Sequence, residues 1–250
     1  MDTAKELFRG WAKEEILIAA CVEGVMGSLA TYGDCVAAAT VGDFTFLAGD
    51  AESGAAQEAL SAPMEAHKNG FCLAVPENDL WQEKISAYFG DKCKAITRYA
   101  IQKEGDCFDR VHLRTLALKL PEDIEIVPIG EEEYHATRGV FWSRDFCSQY
   151  PTYADYASLS LGYVAKDGGE IVAGVSGYCR SRDALEIEIG TLPEFRRQGI
   201  ASALAARFIL TCLDRGLYPS WDASNIGSVR LAEKLGYHLK GEYVTLLIQA

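Results

Sequence analysis

Histidine is scarce in this chain, and its cysteines are not clustered. Four histidines (His67, His112, His135 and His238) are scattered over 250 residues, and no two of the eight cysteines stand at CxxC spacing. A zinc site draws on several such ligands at short, regular spacing, so no metal is expected. Several cysteines lie in apolar runs such as FCLAV, the setting of buried, reduced thiols. An excess of basic residues is missing too. Lys and Arg number 24 against 36 Asp and Glu, a net charge of −12, with the same twelve against eighteen in residues 1–120 and in residues 121–250. Without a basic stripe or tail, nucleic acid is not an expected partner. An acidic surface fits a cationic or amine-bearing partner, and it fits solubility equally well. Long apolar runs are also absent. ILIAACVEGVMGSLA is interrupted by Glu23 and is short of a membrane span. The opening MDTAKELFRGWAKEE has no apolar core of signal-peptide type. The expectation is a cytoplasmic protein without membrane segments.

What is present is an ordinary globular composition, 49% hydrophobic and 24% charged, at a length that suits two domains. A helix is expected over 3–14, a hairpin over 35–48 turned at Gly42-Asp43, and a helix over 55–67. A strand at 71–75, a helix at 80–89 and a strand at 96–102 follow. This first part, residues 1–120, reads as an α/β domain with no nucleophile elbow, P-loop or metal motif. Leu116–Asp123 is a plausible junction to a second domain, 121–250. There the pattern predicts a strand at 124–128, a helix at 131–140 and an aromatic irregular stretch at 141–156. Strands at 162–166, 170–179 and 185–192 come next. A helix over 198–215 closed by Gly216, a strand at 218–222, a helix over 226–235 closed by Gly236 and a last strand at 243–248 complete it.

The informative stretch is 185–237, which opens with LEIEIGTLPEFRRQGIASALAARF from Leu185 to Phe208. A strand ends at Pro193, and a tight loop carrying Arg196, Arg197, Gln198 and Gly199 leads directly into a helix through Ile200, Ala201 and Ser202. First-turn N–H groups have no partners inside a helix, and with the macrodipole they favour an anion. Two arginines add charge, so the loop reads as a phosphate or pyrophosphate cradle without a P-loop lysine. A plain strand–loop–helix turn with a solvated Arg pair is the alternative. Glu186 and Glu188 alternate with Leu185, Ile187 and Ile189, which puts both carboxylates on one face of the strand. They are candidate bases, with a solvated sheet face as the alternative.

RRQGIA, at Arg196–Ala201, resembles the (Q/R)-x-x-G-x-(G/A) signature of the GNAT superfamily of N-acetyltransferases. Asn225 to Tyr237, NIGSVRLAEKLGY, resembles that family's second motif, in the right order and at the right distance. The resemblance covers residues 122–250. The segment PSWDASNIGSVRLAEKLGY also looks like bacterial zwittermicin-resistance-type acetyltransferases.

The likeness implies a GNAT fold in the second half, with a mixed, mostly antiparallel sheet flanked by helices. The first half would be an α/β unit, with a degenerate relative of the same fold as one reading. It implies acetyl-CoA as cosubstrate, no metal, and a small-molecule primary amine as acceptor. The backbone of Ile189, Gly190 and Thr191 would pair with the pantetheine arm, with a strand bulge at Gly190. An N–H near Thr191 or Leu192 would hold the oxyanion. Amides from Arg197 to Ser202 would hold the pyrophosphate. Asn225 and Ser228 would contact coenzyme A, and Glu188, then Glu186, would serve as base.

One position departs from the family pattern. Where many members have a tyrosine as general acid, this chain has Ala232, which leaves Ser220, Tyr243 or a water for that role. The rival expectations are a non-catalytic acyl-CoA sensor or scaffold, and an oligomer assembled through the first half. Residues 141–156 read as an acceptor lid or, preferably, as a loop packed on the sheet or an interdomain contact.

Overall fold

The computed structural model describes residues 2–11, 15–65 and 70–249. Contacts gather the chain into two compact units. One holds the described residues up to Tyr99 together with those from Gly241 onward, and the other runs from Ala100 to Lys240.

The first unit opens with α1 (Asp2–Leu7) and α2 (Ile16–Glu23). An antiparallel meander follows: β1 (Ser28–Tyr32), β2 (Val36–Val41) and β3 (Phe44–Gly49). A parallel neighbour needs a crossover, and α3 (Gly54–Ala59) and α4 (Ala62–Glu65) supply it, bringing β4 (Phe71–Pro76) alongside β3. α5 (Asp79–Phe89) is capped by the Asn78 side chain and carries Trp81 and Ile85 into a core shared with Leu47. β5 (Cys93–Ile101) comes next.

The second unit begins with α6 (Arg110–Ala117), which the sequence pattern did not suggest. β6 (Ile124–Pro128), α7 (Glu131–Arg138) and α8 (Tyr153–Leu159) lead to a second antiparallel meander. Its strands are β7 (Gly162–Asp167), β8 (Glu170–Arg180) and β9 (Ala184–Thr191). α9 (Ile200–Asp214), apolar on most sides and ended at Gly216 with φ 70°, crosses over to β10 (Tyr218–Ser220), which is parallel to β9. β11 (Asp222–Ala223) and α10 (Ile226–Lys234) follow. β12 (Leu239–Gln249) then leaves this unit and pairs antiparallel with β4, from Leu246↔Ala74 to Gln249↔Phe71.

Both units contain one plan, three antiparallel strands, a helical crossover, a strand parallel to the last of them, and a helix; the second adds β6, antiparallel to β7, at the far edge of its sheet. The expected mixed, mostly antiparallel α/β architecture is the one observed. The dividing line differs from the expected 120/121. Residues 100–120 belong to the second unit because Leu113, Leu116 and Ala117 of α6 are buried and that helix packs on α9. The end of β12 belongs to the first unit because it extends the sheet at β4. The expected helix 55–67 is two short helices, since Pro63 lacks the N–H that a continuous helix would use there; its last two residues lie outside the described ones. The expected helix 3–14 is helical only to Leu7, and residues 12–14 lie outside the described ones.

Candidate functional site

The site is built on β9. Its register with β10 covers only Ala184↔Tyr218, Leu185↔Pro219 and Glu186↔Ser220. From Ile187 to Thr191 no strand pairs with this edge among the described residues, so the sheet opens as a slot whose vertex is Glu186 and Ser220. On the other edge, Leu192 donates its N–H to the Val172 carbonyl at 2.9 Å. Opposed residues of an antiparallel ladder alternate between bonded and non-bonded pairs. Counting back from Leu192, Gly190 and Glu188 turn their amides toward β8, while Thr191 and Ile189 turn theirs into the slot.

Three expectations are thereby corrected. The Leu192 N–H is spent inside the sheet. The backbone of Gly190 faces β8 rather than the slot. The bulge lies in β8 between Gly177 and Cys179, not at Gly190, which pairs directly with Gly174. Gly190 serves the packing of Phe146 instead. A Cβ at Gly190 would stand 3.3 Å from that ring, and one at Gly174 only 2.4 Å.

Beyond Thr191 the loop is fastened by its own side chains. Arg196 Nε donates to the Thr191 carbonyl at 3.1 Å, and Gln198 Nε2 donates to the Glu194 carbonyl at 3.1 Å. Arg197 has φ 62° and Gly199 φ 89°. Residues of left-handed conformation in such a turn can bring successive N–H groups into one concavity that suits an anion. Gly199 is the N-cap of α9 and offers no side-chain cap. The N–H groups of Ile200, Ala201 and Ser202 are first-turn amides without intrahelical acceptors. A Cβ at Gly199 would meet its nearest neighbour, the Lys119 carbonyl, at an ordinary 3.6 Å. It is therefore the positive φ, rather than lack of space, that requires glycine here.

A residue the motif reading passed over completes this end. Lys234, in the last turn of α10, donates from Nζ to Ser202 Oγ at 3.0 Å. Together with Lys119, Leu120, Gln198 and Gly199 it lines a cavity of about 520 Å³. A cation at a helix N-terminus opposes the macrodipole. Lys234 and the adjacent Arg pair make electrostatic sense with an anion between them.

The second motif is engaged largely in local structure. Asn225 caps α10, its Oδ1 accepting from Ser228 N at 3.0 Å, and its Nδ2 donates to Ser224 Oγ. Ser228 Oγ accepts from Trp221 Nε1 at 3.0 Å. Trp221 is buried and takes up the α10 face on which Ser228 and Ala232 lie one turn apart. Tyr237 is core, its hydroxyl donating to the Pro219 carbonyl at 2.7 Å. Tyr243, one candidate acid, belongs to the first unit, where Arg98 Nε donates to its hydroxyl.

On the face of β9 opposite α9 stand Glu186, 4% exposed, and Glu188, half-buried. Glu188 is in register with Ser176, whose hydroxyl is 3.0 Å from that of Tyr156. Phe146, Tyr150 and Tyr156 are buried, and Tyr150 donates to the Gly177 carbonyl at 2.8 Å. Much of the stretch 141–156 is thus packed on the sheet, as preferred. Phe141 is 80% exposed with the Arg144 guanidinium over its ring.

Burial pushes the Tyr218 and Tyr237 phenols up, and the nearby Glu186 carboxylate adds to both. A second lysine that sequence reading missed, Lys103, donates from Nζ to Ser220 Oγ at 2.7 Å and to the Trp221 carbonyl at 3.2 Å. It lies between β5 and α6, remote in sequence from either motif. Among the described residues no cluster of three metal-ligating groups occurs, and burial pushes the Cys21, Cys72 and Cys212 thiols up to about 12.

In the first unit the corresponding strand edge is closed. The β3–β4 ladder runs from Phe44↔Leu73 to Leu47↔Pro76. Gly49 N–H donates to Glu77 Oε2 and Trp81 Nε1 to the Gly49 carbonyl, both at 2.9 Å. The following loop carries Asp50 and Glu52 where the second unit has arginines.

The profile of the GNAT acetyltransferase family matches residues 5–246, so the likeness extends well beyond the C-terminal half. A GCN5-related N-acetyltransferase-like protein from Streptococcus suis 89/1591 superimposes with a TM-score of 0.86 at 35% identity, over 98% of this chain and 100% of that one. The uncharacterized N-acetyltransferase YdfB of Bacillus subtilis strain 168 is 28% identical over 169 residues, 66% of this chain. The match spans 62% of that relative's length. A GCN5-related N-acetyltransferase from Kribbella flavida shares the fold, with a TM-score of 0.56 at 14% identity over 96% of this chain and 94% of that one.

Proposed function

The chain belongs to the GNAT acetyltransferase family, and from that premise we propose that it moves an acetyl group from acetyl-CoA to a primary amine of a small molecule. The observation that carries the reading is the opened edge of β9 leading into the cationic loop before α9. A pantetheine arm is peptide-like and can pair with the amides of Ile189 and Thr191. The pyrophosphate then meets the amides from Arg197 to Ser202, with Lys234 and Lys119 beside it. The Thr191 hydroxyl, buried and without a partner among the described residues, gains one when the slot is filled. That gain would offset the cost of an unsatisfied buried group.

A protonated amine cannot attack a thioester. Glu188, on the opposite face, takes its proton directly or through water. The acidic surface and the Glu186–Glu188 face favour an amine acceptor, of the kind the zwittermicin-type likeness suggests. With a net charge of −12, no nucleic-acid partner is proposed. No helix among the described residues is long and apolar enough to cross a membrane, and a cytoplasmic setting is proposed.

Calorimetric titration with acetyl-CoA, with ADP as control, tests the reading. Micromolar affinity for acetyl-CoA with little for ADP is expected, followed by thiol release across an amine panel. Absence of binding at millimolar acetyl-CoA refutes it. Ala232 favours a second reading, an acyl-CoA sensor without turnover, which predicts the same binding and no thiol release.

A further inference from the structure

We propose that Ser220 donates a hydrogen bond to the departing coenzyme A sulfur, and that Lys103 positions Ser220 and supplies the charge that lets the sulfur leave as its thiolate. This rests on the acetyl-transfer reading above and answers the question raised by Ala232. An arm anchored at the loop before α9 and running back past Thr191 and Ile189 brings its sulfur end toward the slot's vertex. That vertex is the pair Glu186↔Ser220, where β10 stops.

Ser220 is 0% exposed. Its oxygen accepts from Lys103 Nζ at 2.7 Å, and its own hydrogen has no acceptor among the described residues. A hydroxyl has one hydrogen to give, and one whose lone pair is held by an ammonium is oriented and polarised to give it. The partners of Lys103, a hydroxyl and a carbonyl, are both uncharged, and a half-buried ammonium is stabilised by an anion. The titratable groups around the vertex are Glu186 and Glu188 from β9, Cys179 from β8, Tyr218 from β10, Tyr237 after α10, Cys107, Cys212 from α9, and the paired Glu104 and His238. A thiolate forming there faces the Glu186 carboxylate, and the Lys103 cation offsets that repulsion. The family's acid position cannot serve, since Ala232 has no hydroxyl and Trp221 covers that face.

The step balances. The amine nitrogen bonds to the carbonyl carbon, the carbon–sulfur bond breaks, and its electron pair leaves on sulfur. Sulfur leaves as the thiolate, hydrogen-bonded by Ser220 Oγ with the Lys103 ammonium behind it. The proton released by the attacking nitrogen goes to Glu188, and exchange with water restores that carboxylate.

Free coenzyme A gives a readout that needs no acceptor. Thiolate ultraviolet absorbance, titrated with pH for the coenzyme A complex against the desulfo-coenzyme A complex, reports the bound thiol. In the parent it should ionise with a proton affinity at least tenfold below that of a free thiol of pKa about 8.5. Lys103→Met should undo that tenfold shift, and Ser220→Ala should undo part of it. Lys103→Arg should keep both the shift and acetyl-CoA consumption, because a guanidinium holds its charge. A parent thiol that ionises no more readily than the free one overturns the proposal. So does a shift that survives both Lys103→Met and Ser220→Ala while calorimetry shows that both variants bind coenzyme A like the parent. In either case the acetyl-transfer reading stands. Failure of the parent to bind coenzyme A at all overturns both.

Discussion

Lys234 Nζ lies 3.0 Å from Ser202 Oγ, tying the last turn of α10 to the first turn of α9. Lys234→Met should therefore weaken acetyl-CoA binding. Loss of one exposed charge-assisted contact to a phosphate, about 1–2 kcal/mol, corresponds to a roughly 5- to 30-fold rise in Kd. The effect should shrink at high salt. Calorimetry at two ionic strengths checks this, with Lys92→Met of the first unit as a control that should change nothing.

Gly199→Ala tests the backbone and Gly199→Glu tests the anion. Forcing a side chain to φ 89° costs about 1–2 kcal/mol of stability, which a thermal melt would register as a modest loss of Tm. The glutamate variant should melt similarly yet lose detectable coenzyme binding. Retained binding would move the pyrophosphate away from this loop.

Titration should give one coenzyme per chain. The Glu77 carboxylate and the Trp81 indole occupy Gly49, the residue that ends β3. Glu77→Ala should leave the stoichiometry at one, because Asp50 and Glu52 still face any second phosphate. A stoichiometry of two in the parent would contradict this.

Glu188→Gln should lower kcat for acetyl transfer by 10²- to 10⁴-fold, the usual contribution of a general base, with the Kd for acetyl-CoA unchanged. The acid limb of the pH–rate profile should disappear with it. A variant that keeps that limb would assign it to another group.

The Lys166–Glu133 pair, 2.8 Å apart and largely shielded, predicts a pH dependence of stability. Burial alone pushes the Glu133 carboxyl up, but hydrogen bonds from Lys166 and from the backbone bring it below its ordinary value. A carboxyl lowered by folding stabilises above its unfolded pKa, and the contribution is lost as pH falls through the folded value. The partner Lys166 is raised, chiefly by that same hydrogen bond, so its contribution fades only at strongly alkaline pH. Glu133→Gln should thus lower Tm at pH 7 and narrow the difference from the parent below pH 4. An equal loss at both pH values would mean that the charge is irrelevant.

The loop from Arg196 to Ser202 was legible because backbone chemistry dictates it. A glycine at positive φ before a long apolar helix has few other readings. The alternation of Glu186 and Glu188 likewise survived into the fold. Lys103 was not legible. It stands more than a hundred residues from Ser220, and no local pattern marks a lysine that will be brought to a distant strand end. Gly190 was misread for a related reason. A glycine in a strand can signal a bulge or a close neighbour, and the neighbour, Phe146, is contributed by another segment. The division of the chain failed at β12, whose alternating pattern says that it is a strand but not which sheet receives it.

That last strand has a temporal consequence. Leu246 to Gln249 lie beside Phe71 to Ala74, so an emerging polypeptide exposes the flank of β4 until β12 has been synthesised. The unit made first is the one finished last, and until then an unpaired, apolar strand is open to misassociation. Vectorial synthesis thus places a vulnerable interval between the emergence of β4 and that of β12.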